Sequence, residues 1–451
     1  MKSITKAGKN HKDSGKIPVE FSAKNLTPFG GIGLFSQFVR KLNLKQVLDT
    51  INPSQTEEIR PSRYTIGEKI LSQVYGLICD LERPADTEVL QRDRVFQTLT
   101  DYQSYPDQST HSRFLSSFVV KGAQEIGAKN NQMLLKVRHN FNSYMKLTLD
   151  LDSHVKTVYG QQQRADVGYN PKKPGRKSYH PLFGFIGETR DYLLGKLRAG
   201  SKYTSAGTIP FLKDCLKIIP QHICQLYVRG DSGFYSGPHL FFLEQKKIRY
   251  AIAAKLYPTI QKQLGGLEYR DIGDGVEVSE FEQTLQQGKK KLNCRMIVVR
   301  EEIQEDKPAK KQPKLFELKG YSYQVIATNI WAAVPEEIWR FYNGRANIEN
   351  MIKEAGQGFG LEVSPSHKYA GNMAYLQMGM LAYNLMNWFK EQVLNQTWQK
   401  KMLKWIRHHF IWIAGRLVRS GRSLVLKLSE SYPWQEDYRQ AEARLERLQF
   451  T

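Results

Sequence analysis

From Leu34 to about Lys136 the apolar residues recur at helical spacing, as in IGEKILSQVYGLICDL, with breaks at Pro53, Pro61, Pro84 and Pro106. This pattern predicts an all-helical first domain over about 26–140, after a basic, flexible start at 1–25. Within it DQSTHSRFLSSF offers Ser109 or Thr110 as an N-cap ahead of an apolar face of Phe114, Leu115 and Phe118. At Tyr144 the period changes to two: in YMKLTLDLDSHV, Leu147, Leu149 and Leu151 face one way and Thr148, Asp150 and Asp152 the other, which predicts a strand.

HPLFGFIGE and YLLGKLRAG read as two further strands of an antiparallel meander. GTIPFLKDCLKII reads as a helix, QLYVRGD as a buried strand and SGPHLFFLEQKK as a helix, so 141–257 is the first part of a mixed α/β core. Short β-rich runs with Gly- and Lys-rich turns follow and suggest an insertion domain over 258–332. The core is expected to be completed by helices at 333–395, and 396–451 reads as a basic helical end segment. The most apolar stretch, MAYLQMGMLAYNLMNWF, carries Gln377, Asn384 and Asn387 and is shorter than the roughly 20 residues of a membrane span, so it reads as a buried core helix.

Composition adds charge to this picture. Sixty-six Lys and Arg against 44 Asp and Glu leave a formal charge of +22. That far exceeds the net charge of about 2–8 that keeps a small domain soluble, and it points to a polyanionic partner, nucleic acid first. The helical domain suits DNA binding, although no helix-turn-helix is clean enough to name a recognition helix. The start, MKSITKAGKNHKDSGK, lacks the apolar run of a secretory signal, and the four cysteines are too few and irregular for a disulfide framework or a zinc pair. A reducing, cytoplasmic setting with no membrane partner is the expectation.

The candidate chemistry lies in three short stretches. Asp152 ends the first core strand, with Asp150 on the same face as its fallback. Asp231 follows LYVRG at the carboxyl edge of a strand, where α/β folds place ligands. Glu349 sits on a predicted helix with Tyr342 and Arg345 at spacings of three and four, hence on one face. Singly these have plain readings: a turn-forming Asp, or an Arg345–Glu349 surface pair worth a few tenths of a kcal/mol. Jointly, three rigidly held carboxylates suit divalent ions acting on a phosphodiester.

At this point the chain resembles the DDE transposases of bacterial insertion sequences, in the branch carrying Tyr-x2-Arg-x3-Glu on its catalytic helix. The likeness runs from about Leu26 to Leu428 and includes GYNPKKPGRKSYHPLFGF, VRGDSGF and the AGRLVRSGRS end. It implies a ribonuclease H-like mixed sheet core, with Asp152, Asp231 and Glu349 as the catalytic metal-binding triad. Mg²⁺ is the implied ion, with Mn²⁺ as substitute. The implied partners are double-stranded DNA, both element ends and target, with a dimer in the synaptic complex and a bacterial, nucleoid-associated location. Water would cut at the element's end, and the freed 3′-hydroxyl would then join to target.

Tyr342 and Arg345 would touch phosphate near the cut. The Lys expected seven residues after the Glu is Gly356 here, so Lys353 is the candidate replacement. Lys172, Lys173, Arg176 and Lys177 in the basic loop, and Arg416, Arg419 and Arg422 near the end, are further phosphate contacts. Tyr169, Trp331 and Trp339 are candidate stacking rings, and His154 reads as structural. Two alternatives share these residues: a ribonuclease H-like nuclease without strand transfer, and an inactive, transposase-derived DNA-binding protein.

Overall fold

The computed structural model describes residues 19–56, 62–303, 316–318 and 320–450. Most of the basic start and the EDKPAKKQPK stretch lie outside the described residues. The predicted first core strand is Lys146–Ser153, and its alternation does not separate a wet face from a dry one, because both faces are covered and residues 147–152 are all buried. It forms the expected antiparallel meander with Leu182–Ile186 and Tyr192–Lys196. On its other side it runs parallel to Gln225–Gly230, which runs parallel to Arg249–Ala253.

The β-rich run continues this sheet directly. Tyr321–Thr328 pairs with Arg249–Ala253, Lys290–Glu302 with Tyr321–Thr328, and Val276–Gln287 with Lys290–Glu302, giving one ten-stranded mixed sheet. Its far part sends alternate residues to opposite faces. Tyr250, Ile252, Met296, Val298, Val325 and Ala327 join the main core. Ala251, Ile297, Val299 and Ile326 form a smaller core with Ile338 and Tyr342 of the Pro335–Asn343 helix.

The apolar stretch is the Tyr369–Val393 helix, buried over most of its length. Its amides find partners on the edge strand of the sheet. Asn384 accepts from the Tyr192 N–H at 2.8 Å and donates to the Tyr192 carbonyl at 2.8 Å, and Gln377 donates to the Gly195 carbonyl at 3.0 Å. Backbone groups that would otherwise end the sheet unpaired are thereby satisfied. Among the described residues no helix is long and apolar enough to cross a membrane.

Besides the expected insertion domain, whose strands belong to the core sheet, three sequence expectations need correction. The end segment is not wholly helical: Gly415–Ser420 and Ser423–Leu428 form a β-hairpin before the final Gln435–Arg447 helix. The signal was a period of two in RLVRS and SLVLKL around Gly421, whose φ of +60° suits the turn. Nor is the first region all-helical and separate: Leu26–Thr27 pairs with Gly415 and Arg416, and the Phe38 ring meets Phe450 at 5.9 Å. Finally, Asp107 rather than Ser109 or Thr110 caps the Gln108–Ser117 helix, accepting from the Thr110 N–H at 2.5 Å. Of the cysteines, Cys79, Cys215 and Cys294 are buried, while Cys224 is exposed.

Candidate active site

Parallel pairing sets the first two carboxylates side by side. Asp150 lies opposite Arg229 in the register, so Asp152 and Asp231 emerge two residues on, at the carboxyl ends of adjacent strands. Asp231 caps the short turn that follows, accepting from the Gly233 N–H at 2.9 Å. The third carboxylate comes from the Ala346–Gly356 helix. The single predicted helix is in fact two, Pro335–Asn343 and Ala346–Gly356, meeting at Gly344 and Arg345.

That junction places Arg345 among the acids. Its Nη1 donates to Glu349 Oε1 at 3.0 Å, and its Nη2 lies 3.6 Å from Asp152 Oδ1. Burial opposes the charge of Arg345, but the carboxylates around it, Asp152 foremost, hold its pKa above the ordinary value. Asp152 is 8% exposed. Burial, with repulsion from Asp231 and Glu349, pushes its carboxyl up to about 7 against the pull of Arg345. Glu349 is exposed. Tyr342 is buried in the smaller core, and burial pushes its hydroxyl up to about 12.

Asp150, the fallback, has a different setting. It is fully buried, and Arg229 grips it in two bonds, Nε to Oδ1 at 2.6 Å and Nη2 to Oδ2 at 2.7 Å. Arg229 Nη1 donates to the Phe341 carbonyl at 2.7 Å, tying the pair to the Pro335–Asn343 helix. Two glycines make room for it: a Cβ on Gly344 would sit 2.2 Å from Arg229 Nη1, and one on Gly187 3.0 Å from Asp150 Oδ2. Asp150 thus has both oxygens bonded to one guanidinium, whereas Asp152 accepts from the Ser153 N–H at 2.8 Å and has Arg345 only at 3.6 Å.

A fourth carboxylate went unremarked in the sequence. Glu362 pairs with His154, and His154, Lys156 and Lys172 outweigh its burial to hold its pKa below the ordinary value. Lys156 is fully buried, donates to the Val363 carbonyl at 2.5 Å, and is pushed down to about 7 by that burial. Glu362 lies in an irregular stretch with no periodicity to flag it. Lys172 of the basic loop is the last and smallest of the charges that lower its pKa. Position 356, where the expected lysine is missing, faces the same group, for a Cβ there would lie 3.7 Å from Glu362 Oε1. Lys353 is exposed one helical turn from Glu349.

The remaining candidates are spread along the surface. Lys172, Lys173, Arg176 and Lys177 are exposed, as are Arg416, Arg419 and Arg422 on the terminal hairpin. Tyr169 and Trp331 are exposed, while Trp339 packs against the smaller core. The donor set of Asp152, Asp231 and Glu349 suits a hard divalent ion, which takes oxygen ligands. Among the described residues no three acidic, His or Cys side chains are spaced to close on one ion, and the charge between these acids is that of Arg345.

Comparison with known proteins adds three findings. A family model described as the transposase DDE domain, group 1, matches residues 9–450. A cryo-EM structure of a piggyBac transposase synaptic complex with hairpin DNA is 14% identical, with a TM-score of 0.44 over 86% of this chain and 82% of that one. No curated protein matches the chain.

Proposed function

Because the chain belongs to the transposase DDE domain family, group 1, we propose that it acts on the terminal inverted repeats of its own insertion sequence, cutting strands there and joining them to target DNA. The observation that carries this reading is the position of Arg345, 3.0 Å from Glu349 and 3.6 Å from Asp152, with Asp231 on the adjacent strand end. Arg345 thus faces acids from two separate elements, Asp152 and Glu349, the first with its carboxyl pushed up to about 7. Strongly perturbed groups of this kind concentrate at functional sites.

Asp152, Asp231 and Glu349 would hold Mg²⁺, or Mn²⁺ in its place. When bound, such an ion polarises the phosphoryl oxygen and generates a nucleophile at neutral pH. The protein's own groups do the rest. Arg345 offers a planar, permanently charged fork that matches a phosphate as well as it matches the carboxylates it now contacts. Lys353 adds a point charge one turn further along. Tyr342 packs in the smaller core beneath them and holds the helix junction in place. The Tyr-Arg-Glu spacing thereby reads as one structural unit: ring below, guanidinium in the middle, carboxylate at the rim. Synapsis of two ends calls for at least a dimer on DNA, and the basic loop and terminal hairpin supply phosphate contacts.

The test is to incubate purified protein with Mg²⁺ and labelled DNA carrying the inverted repeats that flank its gene, beside Asp152→Ala, Asp231→Ala and Glu349→Ala. Cleavage and joined products in the parent, both lost in each variant, are the expected result. Cleavage without joining would make the protein a nuclease. Binding without cleavage would make it a DNA-binding descendant.

A further inference from the structure

A cavity of about 910 Å³ lies in the helical N-terminal region and not at the carboxylates. Its walls come from Asn52, Pro53 and Ser54, from Arg63 and Tyr64, from the start of the Arg94–Leu99 helix, and from one side of the Gln108–Ser117 helix. Among the described residues its charge is one-sided, with Arg63, Lys69, Arg94 and Arg113 against the single carboxylate of Asp107. That carboxylate is already engaged, accepting from the Thr110 N–H at 2.5 Å and the Ser109 hydroxyl at 2.9 Å.

Among the described residues none of the four cations is in an ion pair. Arg94 donates to the Gln97 side chain at 3.2 Å and to the Gln103 carbonyl at 3.4 Å, and Arg113 donates to the Ser109 hydroxyl at 3.1 Å. Arg63 and Lys69 lie over the Tyr64 and Phe114 rings, 5.6 and 5.5 Å from their centroids. Unpaired cations crowded round a concavity repel one another, so the arrangement favours an anionic occupant. Cations beside an aromatic ring suit a nucleic-acid strand, the charges for its phosphates and the half-buried Tyr64 ring for a base.

A concave cavity of this size cannot admit a duplex but has room for the end of one strand. We propose that it takes unpaired nucleotides of a DNA strand. A route to the chemistry is present. The Ser116 carbonyl at the end of the cavity helix accepts from Lys368 at 2.7 Å, and residues 362–368 run back through Val363 to Lys156 and through Glu362 to His154, beside Asp152. The inference rests on the reading that this chain handles DNA, and it adds the place and form of one contact.

The test uses the full chain carrying Asp152→Asn, in EDTA, so that no cutting is needed. Fluorescence anisotropy compares a blunt duplex, the same duplex with a two-nucleotide unpaired tail, and a mononucleotide as competitor. The tailed duplex should bind about tenfold tighter than the blunt one. Arg94→Gln with Arg113→Gln should abolish that preference and lower the salt slope for the tailed probe by about 1.4, at roughly 0.7 per single-strand contact. The melting temperature of the variant confirms folding, and Arg94→Lys with Arg113→Lys should retain most of the slope. Equal affinity for the two duplexes, a variant that keeps the preference, or displacement by mononucleotide without any tail preference would overturn the proposal. Tail preference in a protein whose parent fails to cut its own ends would leave this inference standing and remove the transposase reading instead.

Discussion

Asp150 and Asp152 lie two residues apart on one strand, on the same face, each beside an arginine, yet their surroundings are opposite in kind. Arg229 meets Asp150 with two bonds of 2.6 and 2.7 Å, donates its remaining nitrogen to the Phe341 carbonyl, and is walled in by Gly187 and Gly344. Arg345 stands 3.6 Å from Asp152, shares itself with Glu349, and leaves Asp152 with a carboxyl pushed up to about 7. A saturated pair of this sort fixes the sheet to the helix. An unsaturated one stores unfavourable charge at a place where a metal ion and a phosphate can relieve it. The difference comes from geometry, since the residue types are the same.

The sharpest way to break the contrast is to remove Arg229. Arg229→Ala should cost about 3–5 kcal/mol in denaturant unfolding, because a buried carboxylate is left alone. A loss under about 1 kcal/mol would mean that the pair is not structural.

Asp152→Asn should do the reverse. The folded carboxyl binds its proton more tightly than the unfolded one, whose pKa is about 3.8, so wild-type stability falls as pH rises from about 4 to about 7. The neutral amide escapes that penalty. The variant should gain on the order of 1–3 kcal/mol over the parent at pH 8, with the gain vanishing towards pH 4, while cleavage is lost. A thermal-melting series against pH reads this directly, and a gain that does not depend on pH would contradict it.

Gly344→Ala comes next, with an expected cost of about 1–3 kcal/mol from crowding Arg229. Gly356→Ala, whose added Cβ meets nothing closer than 3.7 Å, should change stability by less than about 0.5 kcal/mol. The smallest effect is expected from Lys353→Ala: no change in melting, and a salt slope for duplex binding reduced by about 0.9. An unchanged slope would remove Lys353 from the phosphate contacts.

Much of the sheet was legible because strand alternation is a local signal. Leu147, Leu149 and Leu151 marked the first strand, and Gln377, Asn384 and Asn387 marked the long helix as buried in protein. What was missed depended on distance along the chain. Nothing in GRLVRSGRSLVLKL announces its pairing with Leu26 and Thr27, and nothing in the β-rich run shows that it extends the core sheet. The positions of Asp152 and Asp231 followed from strand ends, whereas the break between Asn343 and Ala346 was hidden within one helical period. Arg229 carried a usable clue that was passed over. An arginine inside an apolar strand needs a buried acid, and Asp150 was the nearest one of the right parity. Glu362 had no such clue, because irregular backbone placed it beside His154.

The seal on the sheet edge has a consequence for synthesis. Tyr192 and the Asn384 that pairs with its backbone are 192 residues apart. At roughly 5–20 residues per second a ribosome needs on the order of 10–40 s between making one and making the other. For that interval the Tyr192–Lys196 strand emerges with its outer hydrogen-bonding groups open, able to recruit a neighbouring nascent chain on the same polysome. Yield of this protein in cells should therefore depend on chaperones that hold the unfinished chain, and fragments ending before the long helix should collect in inclusion bodies.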